Sequence, residues 1–338
     1  MLKERKVKPF GSLQDFIERT KFSEKNLEKL RKNNSLKAID DSPKRNFVKL
    51  SEIAEKVMQE EYFLKISEKV PAIDCGGSAT LMVTGLNSLD SMLCSFAPGQ
   101  LHLIGGRPGM GKTSLLIQIA LNIVATTKKS VYIQSLEMTA EQIVQRMISQ
   151  IVDIDQMTVR SGNFSDEQKD LMYLCWSIMN AMPIYICDTV ESIEKIRSFV
   201  KDEAVDGVLL IDYLQLIDAY VDNGNNRAYS KDSIKRVSEV SWALKQLAKE
   251  KEMPIIVCSQ LTRALEQRAD KHPVLSDLRQ TGSIEQDIDS AIFIYRDSYY
   301  SIDDDSNEAE LILAKNRNGE IGTAHVKFNR DRLIFENK

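Results

Sequence analysis

No stretch of this 338-residue sequence approaches the ~18 consecutive apolar residues that a membrane-crossing helix needs, so a helical membrane protein is not expected. The first ten residues, MLKERKVKPF, hold no apolar signal region, and the expectation is a chain that is not secreted and works in the cytoplasm. Cysteine is scarce: Cys75, Cys94, Cys175, Cys187 and Cys258 are scattered, with no C-x-x-C spacing. That argues against a disulfide framework or a zinc site and for buried free thiols in a reducing compartment. Internal repeats and low-complexity tracts are absent too, which removes solenoids and compositionally biased polymers. A strong charge of one sign is also missing, the net being −4. It is unevenly spread: residues 1–50 carry fourteen Lys/Arg against seven Asp/Glu, a net of +7, which leaves −11 for the rest. A basic arm of this kind either touches nucleic acid or is simply solvated.

What the chain does have is GGRPGMGKTS at 105–114, between an apolar run (101–104) and a helical-looking one (114–124). From Gly106 the spacing is G-x-x-x-x-G-K-T, the phosphate-cradling loop. Glycines let backbone N–H groups close around an anion without interference from Cβ, and the helix that follows adds its positive N-terminal end. The nucleotide-binding set is therefore Gly106, Arg107, Pro108, Gly109, Met110, Gly111, Lys112, Thr113 and Ser114. Lys112 would reach the β- and γ-phosphates of ATP, and the Thr113 hydroxyl would bind Mg²⁺.

Around this loop the punctuation is that of an α/β protein. Apolar strand-like runs lie at 101–105, 131–135, 183–187, 207–212, 254–259 and 290–295, with helical stretches such as 232–250 between most of them. Near-continuous apolar strands alternating with helices imply a mostly parallel sheet covered on both faces. Asn-Gly within 309–328 predicts a hairpin. Upstream, residues 12–36 have helical periodicity and predict two short helices; 40–46 read as a linker, and 48–67 as a lone amphipathic helix. The triple Asp at 303–305 reads as a solvated loop tip, and 223–229 as a channel loop or a plain surface loop.

Three further side chains stand where a triphosphate hydrolase needs them. Asp212 ends an apolar run and suits the Mg²⁺ shell, at the carboxyl edge of the sheet where ligands bind. Glu137 follows a run expected to lie beside the loop strand; it is either the base for the attacking water or a helix-opening glutamate. Gln260 follows a third strand end, where it could sense the γ-phosphate.

Together GGRPGMGKTS, SLEMTAEQIVQRM, GVLLIDYLQL, the stretch VCSQLTRALEQRADKHPVLSDLRQTGSIEQDID, IYRD and AKNRNGEIGT resemble the RecA-like ATPase domain of DnaB-type replicative DNA helicases, and VTGLNSLDSMLCSFAPGQLHLIGG resembles its entry. The resemblance covers about 48–335. It implies a RecA-like P-loop NTPase core at 80–338, a linker helix and connection at 47–79, and a short basic helical region at 1–46. It implies an ATP-driven DNA helicase that moves on single-stranded DNA as a homohexameric ring. A RecA-like DNA-dependent ATPase without unwinding is the alternative. Lys112, Thr113, Glu137, Asp212 and Gln260 match the family's catalytic and metal positions, and Arg146 matches a nucleotide-pocket arginine. Lys315 and Arg317 match cations that reach into a neighbouring subunit's site. Arg279, Gln280, Thr281 and Gly282 match a DNA-contacting loop, although relatives often have Glu at the position of Gln280. The family's N-terminal collar is not matched by the first 46 residues, so primase recruitment is not implied. A helicase loader or other replisome proteins remain candidate partners, and a phage- or plasmid-type protein in a bacterial cytoplasm is the expected origin.

Overall fold

The computed structural model describes residues 81–338, apart from short stretches within 169–205, 218–232, 279–281 and 301–305. The two predicted N-terminal helices, the 48–67 helix, the basic arm, Cys75, the Asp303–Asp305 tip and the Arg279–Thr281 loop lie outside the described residues.

The chain enters through a short helix, α1 (Asn87–Leu93), whose turn is closed by one buried carboxylate. Asp90 accepts from the backbone N–H of Thr84 and Gly85 and from the Thr84 hydroxyl, at 2.7–2.9 Å. The elements that follow are β1 (Leu101–Gly106), α2 (Lys112–Thr127), β2 (Ser130–Ser135), α3 (Ala140–Val152), α4 (Gln156–Ser161), β3 (Ile184–Cys187), β4 (Gly207–Asp212), β5 (Tyr220–Asp222) and β6 (Arg227–Tyr229). Then come α5 (Ser233–Glu250), β7 (Ile255–Gln260), α6 (Gly282–Asp287), β8 (Ser290–Tyr295), β9 (Glu308–Asn316), β10 (Gly322–Asn329) and β11 (Ile334–Asn337).

Nine strands form one sheet in the order β11-β10-β9-β8-β1-β7-β4-β2-β3. The six from β8 to β3 are parallel and the last three in sequence are antiparallel. This is the RecA-like α/β class expected, and every predicted strand run forms a strand. β1, β4 and β8 are buried along their whole length, whereas β9 and β10 alternate buried with exposed residues. Sheets covered on both faces want continuous apolar runs and sheets covered on one face want alternation. The pleat divides the core accordingly. Ile104, Ile133, Leu210 and Ile256 face α2, with its Leu115 and Ile119, while Leu103, Leu209, Ile211 and Val257 face α5, with its Val240, Leu244 and Leu247. At about 25 cal/mol per Å² of apolar surface, these two clusters are the main stabilising term.

Three expectations need correction. The strand before Glu137, β2, is not beside β1: β7 and β4 intervene. Residues 227–229 are not loop but pair with 220–222 in a separate two-stranded ribbon. Cys94 is exposed and Cys187 half-buried, so among the described residues Cys175 and Cys258 are the buried thiols expected.

Candidate nucleotide site

Strand register brings the site together. β1 pairs with β7 so that Gly106 faces Gln260, and β2 pairs with β4 so that Ser135 faces Asp212. The phosphate loop, Asp212, Gln260 and the segment carrying Glu137 therefore meet at the carboxyl edge of the parallel strands.

The loop takes the form its glycines allow. Gly109 and Gly111 adopt φ of 78° and 106°, a region costly for any residue with a Cβ. A Cβ on Gly111 would also come within 3.0 Å of the Phe335 ring. The Lys112 ammonium folds back onto the carbonyls of Gly106 and Arg107, at 3.0 and 3.1 Å. Burial pushes its pKa down, and Asp212 and Glu137 partly restore it. Arg296 steadies the loop from behind, donating to the Gly109 carbonyl at 3.3 Å with its guanidinium over the Phe328 ring.

Asp212 is almost fully buried. The Thr113 hydroxyl donates to its Oδ2 at 2.6 Å. No hydrogen-bond partner reaches Oδ1, and the Cys258 thiol acts on the carboxylate as a weak donor. Burial raises the Asp212 pKa, against the pull of Thr113, Lys112 and Arg146. A buried carboxylate oxygen without a donor, beside a threonine hydroxyl, fits a divalent cation. Among the described residues no cluster of three His, Cys, Asp or Glu could hold a metal alone. The donor set therefore suits Mg²⁺ completed by phosphate oxygens.

Glu137 is exposed at a bend closed by Ser135, whose hydroxyl donates to the Met138 carbonyl at 2.6 Å. The next helix, α3, starts at Ala140 and is capped by a Thr139–Gln142 box. Glu137 therefore lies two residues before the N-cap Thr139 and is not the residue that opens the helix. Its charge acts on Lys112, on Tyr213 and on Arg146 of α3. Burial lowers the Arg146 pKa, while Asp212 and Glu137 raise it. Four of the anticipated side chains thus share one electrostatic cluster.

Others stand elsewhere. The Arg107 side chain turns away from the loop: its Nε meets Glu266 Oε1 at 2.8 Å, and Nη1 donates to the Leu261 carbonyl at 2.8 Å. Only its backbone faces Lys112. Lys315 and Arg317 lie on and just after β9, where Lys315 donates to the Glu285 carbonyl and Arg317 to the Gln286 carbonyl, at the C-terminal end of α6. Arg317 Nε is 3.9 Å from Asp289. Burial, then the charge of Arg317, lowers the Lys315 pKa. Gly282 begins α6.

Sequence reasoning missed Gln215. Its side-chain amide clamps the backbone of Gln260, donating to the carbonyl at 3.1 Å and accepting from the N–H at 3.2 Å, and also donates to Ser259 Oγ. It lies within the quoted GVLLIDYLQL, but no spacing rule singles it out.

Known proteins resemble this chain over the whole of that region. The family described as the DnaB-like helicase C terminal domain matches residues 82–337. The Replicative DNA helicase DnaC of Bacillus subtilis (strain 168) is 40% identical over 267 residues, which are 77% of this chain and 57% of that protein. The Replicative DNA helicase DnaB of Geobacillus stearothermophilus is 39% identical over 266 residues, again 77% and 57%. This chain thus aligns with little more than half the length of these relatives. Among solved structures, one described as an ATPase domain superposes with a TM-score of 0.69 at 32% identity, covering 83% of this chain and 98% of that one. A DnaB-like replicative helicase, described with its interactions with primase, gives a TM-score of 0.69 at 29% identity over 90% of this chain and 74% of that one. With the family matched from residue 82 to 337 and the phosphate loop, Asp212 and the Glu137 bend in one place, the chain belongs to the DnaB-like helicase C-terminal domain family.

Proposed function

We propose that this chain is the motor of an ATP-driven replicative DNA helicase, working as a homohexameric ring on single-stranded DNA. The observation that carries the reading is the Thr113–Asp212 contact at 2.6 Å, set in an electrostatic cluster with Lys112, Glu137 and Arg146. Binding alone has no need of a water-facing glutamate at the sheet edge that the phosphate loop shares.

In this reading the ATP phosphates take over the Lys112 ammonium from the Gly106 and Arg107 carbonyls. Thr113 and Asp212 would hold Mg²⁺, which supplies charge neutralisation at the phosphates. Glu137 orients the attacking water and takes its proton as the new P–O bond forms and ADP leaves. Arg146 lines the pocket, and Gln260, held by Gln215, reports the γ-phosphate to the DNA side. Lys315 and Arg317 exchange the Glu285 and Gln286 carbonyls for the phosphates of a neighbouring subunit, so the active site is completed by assembly.

Arg279, with the backbone of Gln280, Thr281 and Gly282, would hold one strand by its phosphates. Such contacts carry no base information, so binding is independent of sequence. Residues 80–338 form the motor, 47–79 the linker that docks on a neighbour, and 1–46 a separate basic region. Among the described residues no helix is long and apolar enough to cross a membrane. A cytoplasmic setting and a loader or other replisome partner complete the proposal.

The test is strand displacement on forked DNA with ATP and Mg²⁺, together with mass measurement of the oligomer. Displacement by a six-fold assembly supports the reading. DNA-stimulated hydrolysis without displacement would replace it with the non-unwinding ATPase.

A further inference from the structure

Arg107 sits inside the phosphate loop, yet its side chain does not face the phosphate position. Its carbonyl accepts from Lys112 at 3.1 Å, while its guanidinium, 8% exposed, grips Glu266 and the Leu261 carbonyl. One residue thus holds the loop lysine through its backbone and the segment after β7 through its side chain. The Gly106 carbonyl is shared in the same way, accepting from Lys112 at 3.0 Å and from the Leu261 N–H at 3.4 Å.

The segment beyond is braced a second time. Arg268, two residues after Glu266, takes both oxygens of the buried Asp277, at 2.8 and 3.2 Å, and donates to the His272 carbonyl at 2.6 Å. Asp277 also accepts from the Val274 N–H through Oδ2, at 2.9 Å, and through its own carbonyl from the Thr262 N–H, at 3.1 Å. Residues 262–278 are therefore cross-linked at both ends, and the last of them, Leu278, adjoins the loop assigned above to DNA.

We infer that the Arg107–Glu266 and Arg268–Asp277 bridges form a strut between the phosphate loop and the DNA-side loop, with Glu266 as the positioning residue that couples nucleotide to strand; this rests on the function proposed above. When phosphate draws Lys112 off the Gly106 and Arg107 carbonyls, the Arg107 peptide loses its cation. Its guanidinium stays bound, so the adjustment passes to Glu266 and onward through a braced segment instead of dying out in a flexible loop. The path is separate from the Gln260–Gln215 clamp, which leaves the end of β7 on the other side.

Coupling between two sites is reciprocal, so it can be read from either ligand. The affinity of the full chain for a fluorescent oligothymidylate is measured by anisotropy without nucleotide and with a non-hydrolysable ATP analogue plus Mg²⁺. In the wild type the two affinities should differ by a factor in the range of about 5–150 typical of coupled sites. Glu266→Gln should hold nucleotide affinity and nucleotide-free DNA affinity within about twofold, while the ratio falls to under about a third of the wild-type value. Glu266 is partly exposed, and such a bridge adds little to stability, so the variant should fold. Glu250→Gln, which removes the exposed bridge to Arg197, is the control and should leave the ratio intact.

A wild-type ratio in Glu266→Gln overturns the strut. So does weakened nucleotide binding in that variant, because Glu266 would then be shaping the loop alone. Wild-type protein that binds DNA with no dependence on nucleotide overturns the coupling and leaves the DNA reading standing. Wild-type protein that binds no DNA removes both.

Discussion

Replacing Thr113 by valine exchanges one hydroxyl for a methyl in the first turn of α2, with β-branching and size retained. The consequence falls on Asp212. Its Oδ2 loses a 2.6 Å donor and its Oδ1 has no partner to begin with, so the buried carboxylate keeps only the weak Cys258 donor. Leaving a buried acceptor unsatisfied costs about 1–3 kcal/mol, more for a charged one, so the nucleotide-free protein should lose ~2–3 kcal/mol at pH 7.5. The loss should shrink in acid. Burial already raises the Asp212 pKa, and the Thr113 hydrogen bond is the largest influence holding it down. A raised carboxylate pKa means that stability falls as pH rises from the unfolded value, near 3.8, through the folded one. Without Thr113 that window extends upward, and below it the variant lacks only a neutral hydrogen bond, worth ~1 kcal/mol. Denaturant unfolding of wild type, Thr113→Val and Thr113→Ser at pH 5 and 7.5 tests this, the serine variant staying near wild type. With ATP and Mg²⁺ present, Thr113→Val should also forfeit most of the ligand-induced stabilisation. A loss under about 0.5 kcal/mol, or one that does not depend on pH, would show that this hydroxyl is not what satisfies Asp212.

Glu137→Gln should keep ATP affinity while kcat falls by about 10²–10⁴, as expected for a lost general base; a near-normal kcat removes the assignment. Arg317→Ala should leave nucleotide binding intact and cut turnover steeply, toward the ~10³–10⁵ range of arginine fingers. Mixed with Lys112→Ala subunits it should regain activity, and verified mixed oligomers that stay silent at every ratio refute completion in trans. His102 is buried against Phe96, and burial pushes its pKa down to about 3. Because the unfolded chain then binds the extra proton, stability should fall from pH 6.5 toward 3 by up to ~1.4 kcal/mol per pH unit. His102→Gln should flatten that slope in urea melts between pH 7 and 5, and an unchanged slope would place the titrating group elsewhere.

Much of the fold is legible in the chain because the signals are local. The inner parallel strands β1, β4 and β8 are continuous apolar runs, since both their faces are covered, and the 309–328 stretch alternates because one face of its hairpin is not. The phosphate loop is equally local: the glycines at positive φ, the lysine and the threonine stand next to one another in sequence. Asp212 could be read from its place at the end of such a run.

Strand order could not be read. β1, β2, β4 and β7 carry interchangeable apolar runs, so nothing local says that β7 and β4 come between β1 and β2. That order follows from how α2 and α5 cover the two faces and from crossovers over a hundred residues apart. It alone decides that Glu137 and Asp212 converge on Lys112. Side-chain direction was hidden for the same reason. The motif places Arg107 among phosphate ligands, but Glu266 and the Leu261 carbonyl, 159 and 154 residues away, draw its guanidinium out of the loop. Gln215 reads as one more polar residue until β7 lies beside it, and Lys315 and Arg317 as hairpin-tip charges until α6 presents its carbonyls. Sequence alone determines which backbone shapes and which burial each residue prefers. The partner that satisfies a polar side chain is chosen by what packing brings within about 3 Å, and that distance exists only in the folded chain.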